Sequence, residues 1–285
     1  MRAPYPAGID PPIEEVSVHN IDAKLAITVA ARLRAAGCVL AENEALLLLQ
    51  AASTRTALDA LVDRRMAGHP LEHILGWAEF HGLRILVGPG VFVPRRRTEF
   101  LVDHTISLAR ARLAHSPAVR ALDLCCGSGA VGAALAASVA AVEVYAADID
   151  PVAATCARRN LVRFRSRVFE GDLYAPLPTT LRGTVDILIA NAPYVPTDAL
   201  HLLPPEARLH EPRVALDGGV DGLDLHRRIA AEARDWLAPG GMLVIETGRE
   251  QAVRAVALFT SNGLAASVRH DDDRDATIVT GRVVT

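Results

Sequence analysis

The segment Asn191-Ala192-Pro193-Tyr194 ends an apolar run, Val185–Ala190, that reads as a strand. An asparagine beside a proline and an aromatic residue at a strand end suits one chemistry well. An amide or ring-amino nitrogen is a poor nucleophile, because its lone pair is delocalised. If the Asn191 side-chain oxygen and the Ala192 carbonyl both accept from such an NH2 group, they fix its orientation and favour the charge that develops on it during alkylation. The Tyr194 ring can hold the substrate plane. The corner therefore points to methyl transfer onto a planar nitrogen. A plain X-Pro turn leaving a strand is the structural alternative.

Three further motifs precede it, each at the end of an apolar run. Asp123-Leu124-Cys125-Cys126-Gly127-Ser128-Gly129 leads through Ala130 and Val131 to Gly132, between a strand and a helix. Its glycines let the backbone turn sharply and approach a ligand. Taken alone, the Gly-x-Gly-x-x-Gly spacing also suits a nicotinamide dinucleotide. Asp123, four residues before Gly127, can reach the amino-acid part of S-adenosylmethionine (SAM). Asp148, followed by Ile149, ends the next strand and can accept from both ribose hydroxyls of an adenosyl group. Asp150 suits the N-cap of the helix opened by Pro151 and leaves Asp148 free. Asp172 follows the third strand; it can accept from an adenine amino group while Leu173 packs on the ring.

The elements that must position these groups alternate. Strands are expected at 121–124, 142–147, 168–169, 185–190, 242–245 and 276–284, with helices at 130–139, 151–164, 223–236 and 251–260 between them. That pattern predicts a parallel or mostly parallel sheet covered by helices on both faces, with ligands beyond the C-terminal strand ends. Ahead of it, residues 1–18 read as a loose arm and residues 21–75 as a helical bundle. In that bundle Leu25, Val29, Leu33, Val39 and Leu40 form one stripe, Ser53 is an N-cap, and Leu58, Leu61, Val62 and Met66 face inward. The stretch Glu79–Val93 alternates around Gly88-Pro89-Gly90, a hairpin signal that marks a linker. Pro239-Gly240-Gly241 reads as a turn. The expected domains are 1–78, a hairpin linker at 79–97, and 98–285.

Composition narrows the function. The 285 residues are 51% hydrophobic and 22% charged, enough for a sizeable core. The net charge of -3 argues against a protein devoted to gripping nucleic-acid phosphates. Lys24 is the sole lysine among 30 basic residues, so the positive charge is almost all arginine. Four cysteines without ligand spacing support neither zinc nor disulfides, and a cytoplasmic compartment fits. Neither a signal peptide nor a membrane span is expected, and no metal site. Cys125 and Cys126 read as packing residues, Arg95-Arg96-Arg97 as a solvated turn with a local pairing role for Arg95, and His270–Asp273 as a solvated loop. Glu246 ends a strand and faces the site without an assigned role.

The order of glycine loop, ribose acid, adenine acid and Asn-x-Pro-Tyr resembles the class I SAM-dependent methyltransferases. More narrowly, the chain resembles the HemK/PrmC-like protein-(glutamine-N5) methyltransferases. Pro70–Gly76 with Glu79-Phe80 resembles that family's interdomain segment, and Val93-Pro94-Arg95-Arg96-Arg97-Thr98-Glu99 its Pro-Arg-x-x-Thr-Glu signature. Glu211-Pro212-Arg213, Ala215–Gly219 and Asp221-Gly222-Leu223 match a segment after the fourth strand. The family pattern has proline where this chain has Ala192, and more often glycine and a small residue at Cys125-Cys126. The resemblance implies a seven-stranded Rossmann-like sheet with an N-terminal helical substrate-recognition domain. It implies SAM as cofactor, held by Asp123, Cys125, Cys126, Gly127, Ser128, Gly129, Asp148, Ile149, Asp172, Leu173 and Asn191. Asn191, Ala192, Pro193 and Tyr194, with Arg95 and Glu99, would meet the substrate. That substrate would be the glutamine of a Gly-Gly-Gln motif in a peptide-chain release factor. A nucleic-acid amino-group methyltransferase acting on a flipped base is the main rival; a NAD-dependent dehydrogenase and a non-enzymatic SAM-binding protein are the others.

Overall fold

A computed structural model describes residues 22–284. The arm expected over residues 1–18 lies outside them. The chain forms two compact units that divide between Leu75 and Gly76.

In the first unit, α1 (Ala23–Ala35), α2 (Ala41–Ala51), α3 (Arg55–Met66) and α4 (Leu71–Leu75) pack around Val29, Leu33, Leu48, Leu58 and Val62. The Asp22 carboxylate caps α1 by accepting from the Lys24 N–H. Thr54, not Ser53, caps α3, accepting from the Ala57 N–H at 3.1 Å. Val39, Leu40 and Met66 are exposed. The first two sit in the turn before α2, where the chain leaves the helical phase that Leu33 sets. Among the described residues no helix is long and apolar enough to cross a membrane.

The second unit opens with a hairpin, β1 (Trp77–Phe80) and β2 (Leu83–Leu86). Its turn is at His81-Gly82, both at positive φ (50° and 72°), as a two-residue hairpin turn requires. The Gly88-Pro89-Gly90 segment lies beyond it. The hairpin is no bare linker, since Phe80 and Ile85 enter the same core as Leu101 and Val102.

Then follow α5 (Glu99–Leu113), β3 (Val119–Leu124), α6 (Ala130–Ser138), β4 (Val142–Asp148), α7 (Pro151–Leu161), β5 (Ser166–Glu170) and β6 (Val185–Ala190). After them come α8 (Pro205–His210), α9 (Asp224–Trp236), β7 (Leu237–Glu246), α10 (Ala252–Ser261), β8 (Leu264–Asp271) and β9 (Ala276–Val283). The seven strands run in the order β5-β4-β3-β6-β7-β9-β8. All pairs from β5 to β7 are parallel, and β9 is antiparallel to both neighbours.

β3 and β6 are buried almost throughout, which is why they read as continuous apolar runs. Helices α5 to α7 cover one face and α9 and α10 the other. The alanine-rich α6 is buried nearly all round, as an apolar helix without a polar face must be.

Two expectations fail at the far end of the sheet. Pro239-Gly240-Gly241 lies within β7 as a bulge: Val185 pairs with Leu237, and Ile187 with Met242. The chain also forms β8, so His270 and Asp271 belong to a strand and not to a loop. Because the connections from β3 reverse direction between β4 and β6, the C-terminal ends of β3 and β6 flank a switch point where a crevice opens.

Candidate active site

The glycine loop runs from β3 into α6 through three left-handed residues, Cys125 (φ 55°), Gly127 (φ 56°) and Gly129 (φ 75°). Only the glycines adopt this region without cost. A Cβ on Gly132 would come 3.0 Å from Val144 Cγ1, so this glycine lets α6 lie against β4. The Cys126 N–H donates to the Ala147 carbonyl at 3.1 Å, tying the loop to the end of β4.

The carboxylates converge on this loop. Asp123, 2% exposed, accepts from the Gly132 N–H through Oδ2 at 3.1 Å. Burial pushes its carboxyl up to about 7, and the nearby Asp148 adds to the rise. Asp148 accepts from the Gly127 N–H at 2.7 Å and from the Asp150 N–H at 2.9 Å, and burial raises it as well. Asp150 caps α7, accepting from the Val152 N–H. Asp172 is paired with Arg228 at 2.7 Å, and Leu173 beside it is held at φ 47°.

These groups line one cavity of about 240 Å³. Asp123, Cys125, Cys126, Gly127, Ser128, Asp148, Ile149, Asp172, Leu173, Asn191 and Pro193 all reach it. Burial, helped by the neighbouring aspartates, pushes both thiols far up, so Cys125 and Cys126 stay protonated and are no nucleophiles. Aspartates outnumber the one arginine, Arg228, in the wall. Carboxylates for hydroxyl and ammonium groups, beside the apolar Ile149 and Leu173, fit a cationic nucleoside such as SAM.

Five expected site residues do not line the cavity. Gly129 is the N-cap of α6, and Ala192 turns its methyl into the core. Tyr194 points away and donates its O–H to Glu246 Oε1 at 3.1 Å. Arg95 pairs with the buried Glu211 at 2.6 Å, and Glu99 accepts from the His81 N–H at 2.9 Å. Arg96 and Arg97 are exposed, as a solvated turn requires, but the pairing of the run is not local. Its pairings span 116 residues for Arg95–Glu211 and 149 for Arg97–Glu246.

The corner itself is braced from three sides. Asn191 donates through Nδ2 to Thr98 Oγ1 at 3.2 Å, which leaves Oδ1 for the cavity. Arg97 Nε joins Tyr194 on Glu246 Oε1 at 3.3 Å. The segment 216–222 wraps the backbone after Asn191: Val195 N–H donates to the Leu216 carbonyl and Gly218 N–H to the Val195 carbonyl. A Cβ on Gly218 would stand 2.7 Å from the Pro193 oxygen. Sequence reading named Thr98, Glu211, Gly218 and Gly222 within motifs without giving them a role, and missed Gln251. The motifs around Glu211 and Gly218 signalled them, and nothing signalled Gln251.

A glycine loop, paired strand-end acids and an Asn-x-Pro-Tyr corner on this sheet order define a class I methyltransferase. The model of the methyltransferase small domain matches residues 82–203. A methyltransferase from Pyrococcus furiosus shares the fold at a TM-score of 0.52 and 18% identity, covering 72% of this chain and 90% of that one. The release factor glutamine methyltransferase of Geobacter sulfurreducens is 41% identical over 73% of this chain and 70% of its own length. That of Gloeobacter violaceus is 34% identical over 94% of this chain and 93% of its own length. The chain belongs to the release factor glutamine methyltransferase family.

Proposed function

We propose that this protein methylates the side-chain nitrogen of a glutamine, in the Gly-Gly-Gln motif of a peptide-chain release factor, with SAM as methyl donor. The observation that carries this reading is the orientation of Asn191. Its NH2 is spent on Thr98, so its oxygen is the group offered beside the acid-lined pocket.

When bound, SAM supplies a methyl group on a sulfonium sulfur, a good leaving group that needs no covalent enzyme intermediate. Asp148 would hold the ribose hydroxyls, Asp123 the ammonium group, and Ile149, Leu173 and Asp172 the adenine. The backbone of Cys125–Gly127 would line the methionine end. Asn191 Oδ1 and the Ala192 carbonyl would accept from the glutamine NH2 and fix the plane of the amide. These acceptors lower the barrier by orientation and electrostatics. No strong base is required, because the nitrogen becomes acidic once alkylated and its proton passes to water. The acidic wall and the net charge of -3 favour a peptide over a polyanionic substrate.

Incubation with labelled SAM and a panel of purified release factors, followed by mass mapping, tests this. Label on the glutamine of the Gly-Gly-Gln motif is expected. Unlabelled protein, or label on arginine or RNA, removes the proposal.

A further inference from the structure

Asn191 and Thr98 could pair in either of two senses. A side-chain amide presents an NH2 or an oxygen, and a hydroxyl both donates and accepts. The observed sense puts Nδ2 on Thr98, and since Asn191 lines the cavity, Oδ1 is the polar atom left to face it. The reverse sense would turn the NH2 to the cavity. There it would meet the substrate NH2 donor to donor.

Something must select between them. Asn191 and Glu246 follow the paired residues Ala190 and Ile245 on neighbouring strands, and Arg97, next to Thr98, reaches Glu246 Oε1, so the Glu246 carboxylate is the charged group beside this pair. Thr98 is 2% exposed, and its hydroxyl hydrogen has to go to a protein acceptor. Glu246, equally buried, uses Oε1 for Tyr194 and Arg97. Its Oε2 is shut off from solvent without a partner in hydrogen-bonding geometry. A carboxylate can only accept.

We propose that Glu246 is a positioning residue: its carboxylate draws the Thr98 hydroxyl hydrogen, Thr98 can then only accept from Asn191, and Asn191 must face the substrate with its oxygen. The inference rests on the reading above, that Asn191 Oδ1 orients the amide to be methylated.

The relay requires the ionised form, for which Arg97 supplies the counter-charge at 3.3 Å. Burial leaves the Glu246 carboxyl above the ordinary glutamate range, and the Thr98 hydroxyl, the Arg97 guanidinium and the Tyr194 hydroxyl only limit that rise. The ring Nε2 of His226, from α9, meets the Glu246 backbone carbonyl at 3.2 Å. Burial drops that imidazole to about 4, so it brings no charge near neutral pH. A side chain at 246 that can donate, such as glutamine, would let the relay run backwards. Thr98 would accept from residue 246 and donate to Asn191, and the amide would flip.

The test is turnover of the release factor labelled in the experiment above, at saturating SAM, with SAM affinity measured separately by calorimetry. Glu246→Gln and Thr98→Val are each expected to lower kcat by about 100-fold, the scale of one preorganised polar group, with SAM affinity unchanged. Thr98→Ser keeps the hydroxyl and should recover most of the loss. The double variant Thr98→Val with Glu246→Gln should be no slower than either single one, since the relay acts as a unit. Parent-like kcat in Glu246→Gln overturns the inference, as do losses that multiply in the double variant. Should Glu246→Gln fail to fold, the contrast between valine and serine at 98 decides, and equal losses there overturn it. Asn191→Ala separates the two levels. If Asn191→Ala is as fast as the parent, the reading of the corner is wrong. If Asn191→Ala is slow while Glu246→Gln is fast, only the relay is wrong.

Discussion

The side-chain amide of Gln251 donates to the main-chain oxygen of Tyr194 at 2.9 Å, across 57 residues of sequence. The same Nε2 donates to the Asp221 carbonyl at 3.0 Å. One side chain thus clips the catalytic corner to the glycine-rich segment that wraps it, and Gly222 sits in the clip at φ 75°. A Cβ there would stand 2.3 Å from the Tyr194 oxygen and 2.2 Å from Gln251 Nε2.

Gly222→Ala should therefore cost about 2–5 kcal/mol. Left-handed strain contributes roughly 1–2 and overpacking roughly 1–3. Urea unfolding reads the stability, and turnover should fall with it because the corner must move. A variant as stable as the parent would mean that the clip is loose.

Asn191→Ala removes the acceptor that faces the cavity and frees Thr98. Turnover should fall by about 10²–10³. SAM affinity, measured by calorimetry, should hold, because the aspartates that would bind the nucleoside are untouched. Unchanged turnover would end the amide-orienting role.

Asp148→Asn keeps the shape of the group but weakens it as an acceptor. SAM affinity should drop by about 1.5–3 kcal/mol, the scale of hydrogen bonds to a charged group. Asparagine also has to re-form the bonds from the Gly127 and Asp150 N–H groups, so a circular dichroism melt should accompany the titration. Unaltered affinity would move the ribose elsewhere.

Asp123 makes the site sensitive to pH. Its folded-state value, about 7, lies above that of an unfolded aspartate. The folded protein therefore holds this proton more tightly. The associated stability is full below the unfolded value and is lost as pH rises through 7. A cation bound beside Asp123 reverses the preference and expels the proton. SAM binding near pH 6 should release protons, seen as buffer-dependent heats in calorimetry, and should weaken as pH falls from 8 to 5.5. Asp123→Asn should flatten most of both effects, leaving the share of Asp148. Buffer-independent heats in the parent would contradict the assignment.

Arg95→Ala strips the guanidinium from Glu211, whose side chain is 1% exposed. Removing one partner of a buried pair costs about 3–5 kcal/mol. Glu211→Gln, which leaves a half-exposed arginine that water can reach, should cost less. Equal losses from the two variants in urea unfolding would show that the charge pairing is not what matters.

The legible parts of the sequence were those where one short segment carries both the fold and the chemistry. The loop from Asp123 to Gly132 and the acids Asp148 and Asp172 sit at strand ends that apolar runs announce. β8 was hidden because most of its residues from Ala265 to His270 are partly or fully exposed, which erases the alternation a strand normally shows. The hairpin turn was misplaced because Gly88-Pro89-Gly90 is the louder turn signal, whereas His81 adopts a left-handed conformation that its residue type does not advertise. The braces of the site were invisible for another reason. Thr98 and Asn191 are 93 residues apart, and no periodicity encodes a bond of that span.

The placement of β9 has a consequence for the order in which the protein can be made. β9 lies inside the sheet, between β7 and β8, and Glu246 pairs through its backbone with Ile278. A nascent chain that has emerged from the ribosome only as far as residue 275 has every aspartate of the pocket and the whole Asn191 corner. It still has a β7 with one bare edge and a β8 with no neighbour. The strand that carries Glu246 is fixed on both sides only after residues 276–283 have been synthesised, so competence should arrive late in translation and in one step. A chain stopped before Ala276 would be an aggregation hazard, with two open strand edges, and not a slower enzyme.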